Sequence, residues 1–288
     1  MELQQSPPYV SYIRRLGWKT EVLEGTTLFI RKIPFIGTLA KIQRFDTLPY
    51  LPRLIPFLLS RRVTTVAAEP SSTVDQDSYS AWLASVSKFF KIYREPFMAT
   101  KTIRIQLGDD EQTIFSRLTE AKRRAVRKAQ KNNIVVDASP NIAGLMSIKA
   151  KGAGLFGSIT TYGADIVWEE FAKKKKACTL LAYRKGTKIP VAGVMLLMWD
   201  NISYYWIAGA TKQGKKLFAP TLLVWEALRL SKQQGATAFD FLGVWDERTP
   251  NINSSWKGFT KFKEGFGGTP LNYACIPGYW KKPFPFFW

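Results

Sequence analysis

Apolar and polar residues alternate over the first part of the chain, then fall into helical spacing, and that change of period recurs. Residues 18–24, 27–33 and 38–45 predict strands, with Gly25 at the first turn. The run LPRLIPFLLS at 51–60 predicts a short apolar helix, and 63–68 a buried strand rich in β-branched residues. Residues 78–92 predict a helix with Trp82, Leu83, Val86, Phe89 and Phe90 on one face, and 101–107 a strand. In the second half, 177–183, 189–199 and 201–210 predict strands. A helix follows at about 220–234, with Pro220 suited to its first turn and Gly235 to its stop. Strand 238–242, a short helix at 256–263 and a strand near 271–276 complete the pattern. The order helix–strand–helix–strand at 51–107 thus parallels 220–276. An α/β chain is expected, with two copies of one mixed-sheet unit, at 1–107 and 108–288. The tail 277–288 is expected to pack back on the first unit or to meet a membrane interface.

Between the halves, residues 109–131 predict one long helix. Asp109 and Gln112 have the spacing of a capping box. Ile114, Leu118, Ala121, Ala125 and Ala129 form the apolar stripe, and Arg117, Lys122, Arg123, Arg124, Arg127, Lys128 and Lys131 the opposite side. The pattern breaks at Asn132-Asn133 before a strand at 134–137.

Composition narrows the function. The 42 Lys and Arg against 22 Asp and Glu leave a net charge of +20, which points to a polyanionic partner. The absence of histidine excludes His-based triads and imidazole zinc sites. Cys178 and Cys275 are too far apart in sequence for a metal motif and are expected to be buried thiols. MELQQSPPYV has no apolar signal core, and no stretch approaches the roughly 20 apolar residues of a spanning helix. The expectation is a cytoplasmic monomer that touches the membrane at most peripherally.

Three segments carry a resemblance. TEAKRRAVRKAQKNNIVV is similar to the basic helix and strand of Fem-family aminoacyltransferases. SYYWIAGATKQGKKLFAPTLLVWEAL resembles that family's strand, glycine turn and helix, and FDFLGVWD followed by KFKEGFGGTPLNY resembles its ending. Together they span about residues 115–275; the first 107 residues match mainly in pattern. The resemblance implies tandem acyltransferase domains of the GNAT type, aminoacyl-tRNA as donor, and the amine of a nucleotide- or lipid-linked peptidoglycan precursor as acceptor. It implies no cofactor and no metal.

Aminolysis of an aminoacyl ester needs no protein nucleophile, only orientation and a positive group where oxyanion charge develops. Lys263 in KFKEGF is the candidate, and it matches the lysine that the family's motif places at the active site; the bland alternative is a solvated lysine on a short helix. Glu264 stands where the family often has a second lysine. Asp240, between aromatics on a buried strand, is a base of raised pKa or, preferably, a structural hydrogen-bond acceptor. Arg44, with Lys32, is a candidate for the acceptor phosphate, although only the arginine of the family's Y-x-P-R-G-P pattern is present in KIQRFDTLP. Tyr205 and Phe262 are candidate pocket-lining aromatics. Arg123, Arg124 and Arg127, with Lys212, Lys215 and Lys216 before a helix, are candidates for tRNA. KQGKKLFAP lacks the pyrophosphate loop of a coenzyme A enzyme, which weighs against an N-acyltransferase using acyl-CoA on a sugar or small amine. A non-enzymatic basic RNA- or membrane-binding protein has no use for FDFLG and KFKEGFGG.

Overall fold

The computed structural model describes residues 1–153 and 162–276. The elements run α1 (Pro7–Arg15), β1 (Lys19–Leu23), β2 (Thr26–Ile33), β3 (Gly37–Phe45), α2 (Leu51–Ser60), β4 (Thr65–Pro70), α3 (Gln76–Val86), β5 (Lys91–Ile92) and β6 (Lys101–Gln106). There follow α4 (Glu111–Arg117), α5 (Glu120–Lys131), β7 (Ile134–Ser139), α6 (Ala143–Ala153), α7 (Ala164–Ala172), β8 (Ala177–Arg184), β9 (Pro190–Trp199) and β10 (Ile202–Ala210). Last come α8 (Lys212–Lys216), α9 (Ala219–Gln233), β11 (Ala238–Gly243), α10 (Lys257–Glu264) and β12 (Thr269–Asn272). Among the described residues no helix is long and apolar enough to cross a membrane.

Two compact units form, and the single cut expected at 107/108 is not the one they follow. The first comprises Met1–Thr102, Gly243–Thr260 and the chain from Leu271; the second comprises Ile103–Leu242 and Lys261–Pro270. The tail 277–288 lies outside the described residues.

The first unit holds a five-stranded sheet in the order β1-β2-β3-β4-β5, antiparallel up to β3 and parallel after it. Leu28, Ile30, Ala40, Ile42, Val66 and Ala68 face Leu54 and Leu58 of α2 and Trp82 and Val86 of α3 in one cluster. The helix expected over 78–92 stops at Val86, and Lys91 and Ile92 pair with β4 instead. The tyrosine and tryptophan of α3 bury their polar tips with partners: Tyr79 donates to the Ala68 carbonyl at 2.9 Å and Trp82 to that of Pro49 at 2.8 Å.

The second sheet has seven strands in the order β12-β6-β11-β10-β9-β8-β7. Strand β6, expected to close the first unit's repeat, is hydrogen-bonded here between β12 and β11. From Val191 to Leu197 every residue of β9 is buried, because α6 covers one face and α9 the other.

The helix expected over 109–131 is broken in two. Asp110, not Asp109, caps α4 by accepting from the Thr113 amide at 2.9 Å. Leu118 then leaves the helical region (ψ 142°), and the Thr119 amide donates to the Gly265 carbonyl at 2.9 Å. Arg123 reaches back to donate to the Ser116 carbonyl at 2.7 Å and to that of Leu118. The break also turns the stripe: Val126 and Ala129 are buried, while Ala121 is exposed.

The turn after α10 packs on this break without room for side chains. Gly267 has φ +79°, and a Cβ there would lie 2.3 Å from the Arg117 carbonyl oxygen; one at Gly268 would lie 2.5 Å from Ile103. Gly267→Ala should therefore cost about 2 kcal/mol or more. Gly258→Ala, with nothing within 4 Å of its Cβ, should stay within about 0.5 kcal/mol of the parent. Urea unfolding of the two variants checks the contrast.

Candidate active site

Strand β11 ends in a buried ion pair. Oδ2 of Asp240 accepts from Nε and Nη2 of Arg104 on β6, at 3.1 and 3.0 Å. Its Oδ1 accepts from the Leu242 amide at 2.7 Å, where the chain turns through φ +56°. Asp240 is wholly buried, and these bonds make it a structural acceptor that bends the strand end rather than a group displayed to substrate. Arg104 escaped the sequence reading because TIRIQ looks like an ordinary alternating strand.

The bend presents the Phe241 carbonyl to Lys263. Nζ of Lys263 donates to it at 2.8 Å, and the side chain is 9% exposed. Burial lowers this lysine from its ordinary 10.5 to about 8, with the nearby Asp240 opposing the shift. A lysine on an amphipathic helix end is usually solvated; this one points inward.

Lys263 stands where two parallel strands part. β10 and β11 pair from Ile202 to Tyr204 against Ala238 to Asp240, and β10 carries a bulge between Tyr205 and Ile207. The Lys263 ammonium lies 6.0 Å from the ring centres of both Tyr205 and Phe241. The Tyr205 and Phe241 rings meet edge to face, 5.5 Å apart, and burial pushes the Tyr205 phenol well above its usual range. The structure thus brings Tyr205 and Lys263 together at the carboxyl end of parallel strands, where open α/β sheets bind ligands.

Phe262 lies elsewhere, against Phe266 and under the Lys122 ammonium, 3.7 Å from its ring centre. Burial lowers Lys122 to about 8 as well. Both residues secure α10 to α5. Lys261 and Glu264 are exposed.

The basic residues of α5 divide. Arg123 is occupied with the carbonyls that end α4, as described above. Arg124 and Arg127 are exposed, as are Lys128 and Lys131. Lys128 stands 5.6 Å from the ring of Phe218, just beyond α8, on which Lys212, Lys215 and Lys216 are all exposed. Basic side chains of α5 and α8 are thus exposed on either side of this contact. The lysines at 173–176 follow α7, which buries Val167 and Phe171; Lys173 pairs with Glu170 at 2.7 Å.

In the first unit, Arg44 is buried at the bulge of β3, with φ +52°. It donates to the carbonyls of Pro70 at 3.0 Å and Ala99 at 2.6 Å, and stacks on Tyr273 with its guanidinium 3.4 Å from the ring centre. It is a clamp rather than a displayed anion hook. Lys32 is exposed, far out on β2 opposite Thr38.

Beside Arg44 lies a group that the sequence reading missed. Glu69 accepts from the Met98 amide at 2.6 Å and from Gln43 at 3.2 Å. Burial raises its carboxyl, and Arg44 chiefly opposes the shift. Arg44, Glu69, Tyr79, Tyr93, Thr100 and Tyr273 line one pocket within this unit. The single acid at the end of the apolar run VTTVAAEP was the available signal.

Two mixed sheets flanked by helices, each passing from antiparallel to parallel pairing, make a tandem GNAT-like fold. Residues 167–274 match the model of the FemAB family, so the Fem-family resemblance is borne out over that segment. No curated protein matches the chain. Among solved structures, the crystal structure of FemX aligns with a TM-score of 0.72 at 15% identity, over 94% of this chain and 90% of that one. The structure of L-PGS from Bacillus licheniformis aligns at 0.58 and 12%, over 91% and 84%. A tandem GNAT protein from the clavulanic acid biosynthesis pathway aligns at 0.53 and 11%, over 88% and 78%.

The two buried charges should respond oppositely to removal. Asp240→Asn removes the carboxylate charge that accepts both Arg104 bonds and should cost about 3 kcal/mol. Lys263 is depressed in the folded chain, so below about pH 8 its burial opposes folding, and this cost fades between about 8 and 10.5. Lys263→Met should therefore melt no lower than the parent at pH 7, and any advantage should shrink by pH 10. Thermal melts at both pH values check both signs.

Proposed function

We propose that this chain transfers an amino acid from aminoacyl-tRNA to the amine of a peptidoglycan-precursor stem peptide, as Fem-type enzymes do. The observation that carries the reading is Lys263, buried and held by the Phe241 carbonyl where β10 and β11 part, inside the matched FemAB segment. The likeness to FemX supports it at the level of fold.

In this reading the acceptor amine attacks the ester carbonyl, the carbon–nitrogen bond forms, and negative charge moves to the carbonyl oxygen. With a pKa of about 8, Lys263 is roughly nine-tenths cationic at neutral pH and stabilises that oxyanion in a poorly solvated setting. Collapse breaks the ester bond, and the ribose oxygen of the tRNA leaves with the proton that the amine gives up. No side chain need act as nucleophile, which accords with a chain that has no histidine. Tyr205 and Phe241 form the aromatic wall beside the reacting ester.

The exposed residues Arg124, Arg127, Lys128, Lys212, Lys215 and Lys216 bind the tRNA backbone by neutralising phosphates. Glu69, in the pocket of the first unit, is suited to a cationic group of the acceptor, since burial raises its carboxyl and an ammonium there would favour its charged form.

Transfer from a mixture of charged tRNAs to a muropeptide precursor should be abolished by ribonuclease, and acetyl-CoA should neither donate nor compete. Turnover with acyl-CoA alone would replace this reading with a coenzyme A one. Lys263→Met should lower turnover by about 10²–10³ while shifting the acceptor KM little, because the ground-state carbonyl carries little charge.

A further inference from the structure

One end of the first unit is both apolar and basic, and neither the acyl transfer nor the RNA-facing helices use it. Three segments converge there. The Thr64 amide donates to the Thr38 carbonyl at 2.9 Å, and the Lys91 amide donates to the Thr64 carbonyl at 3.1 Å. These bonds tie the β2–β3 turn to the chain leaving α2 and to the start of β5. The approach is close, since a Cβ at Gly37 would lie 2.3 Å from Oγ1 of Thr64.

Large apolar side chains stand out from this end. Phe35 is 110% exposed at the tip of the β2–β3 turn, Ile36 48%, Leu59 52% in the last turn of α2, and Phe89 55% between α3 and β5. Phe35 also holds φ +63°, a left-handed position that favours glycine or asparagine. Packing does not explain a phenylalanine at such a turn, since nothing among the described residues covers it.

The charge around them is mostly positive, and a nearby carboxylate, Glu21, is held by Arg61 at 3.1 Å. Lys32, Arg62, Lys88 and Lys91 are exposed. Residues 25–45, 53–68 and 78–94, which build this end, contain no Asp or Glu.

We propose that this end of the first unit docks on the surface of an anionic phospholipid bilayer. Phe35 and Ile36 enter the headgroup region, and Lys32, Arg62, Lys88 and Lys91 rest on the anionic headgroups. Exposed aromatic and aliphatic side chains ringed by lysine and arginine match an interface that is apolar inside and negative outside. A second copy of this chain would bring like charges together, and the aliphatic side chains of Ile36 and Leu59 offer nothing to a nucleic acid. The assignment is independent of the transfer reaction, so either can fail without the other.

The test is co-sedimentation of the full chain with vesicles of phosphatidylcholine alone, or mixed with phosphatidylglycerol. The parent should bind the mixed vesicles much more strongly, and less so as salt rises. Phe35→Ser with Ile36→Ser should lower partitioning about tenfold or more, and Arg62→Glu with Lys88→Glu should remove the preference for phosphatidylglycerol. All four side chains are exposed, so melting curves should match the parent and loss of fold is separable. No binding of the parent to mixed vesicles overturns the proposal. So does parent-like partitioning of the Phe35/Ile36 variant, which would move the contact to another part of the chain. Loss of tRNA binding with vesicle binding intact would give this end to nucleic acid instead.

Discussion

The glycine turn from Gly265 to Gly268 can lie on the break between α4 and α5 only because it has no side chains to keep it away. The Thr119 amide meets the Gly265 carbonyl, and Gly267 sits against the Arg117 carbonyl, at a distance no Cβ would tolerate. That contact fixes the end of α10, and Lys263 lies on its last turn. A side chain at Gly267 would lift the helix end and withdraw the ammonium from the Phe241 carbonyl. The most recognisable sequence motif of the chain therefore owes its glycines to packing, and its lysine, in the function proposed above, to chemistry.

Around this contact the molecule concentrates buried charge. Asp240 and Arg104 compensate each other, and the pair bends β11 so that a carbonyl is free to hold Lys263. Lys263 is held by the Phe241 carbonyl, and burial lowers its pKa to about 8. A buried ammonium opposes folding, and in the proposed reaction the same burial strengthens its interaction with an oxyanion that appears only in the transition state. Stability and activity are expected to conflict at this residue. In the first unit, burial likewise disfavours the charged form of Glu69.

The strands and the apolar helices were legible in the sequence because period and burial agree there. Residues 51–60 and β9 are examples, their apolar runs matching faces that are in fact covered. The break in the 109–131 segment was not legible: its cause is the Gly265 carbonyl, almost 150 residues away in sequence, to which Thr119 turns. Helical periodicity ran unbroken through Leu118 and hid the change of face from Ala121 to Val126. β6 alternates like any strand, and nothing local reveals which sheet accepts it. Lys263 could be chosen from its motif, but Arg104 and Glu69 could not, since a charged residue in a short strand shows its partner only in three dimensions. At Arg44 and Arg123, where positive charge suggested anion binding, the guanidinium donates to main-chain carbonyls, which the sequence does not reveal.

In the reaction proposed above, the charge on Lys263 drives the chemical step, and single-turnover rates of transfer measured from pH 6 to pH 10 probe that role. The parent should show a decline with a midpoint near the lysine's value of about 8, absent in Lys263→Met, which should run at a uniformly low rate. A rate that stays level or climbs through that range in the parent, or a decline of the same midpoint in Lys263→Met, would contradict it.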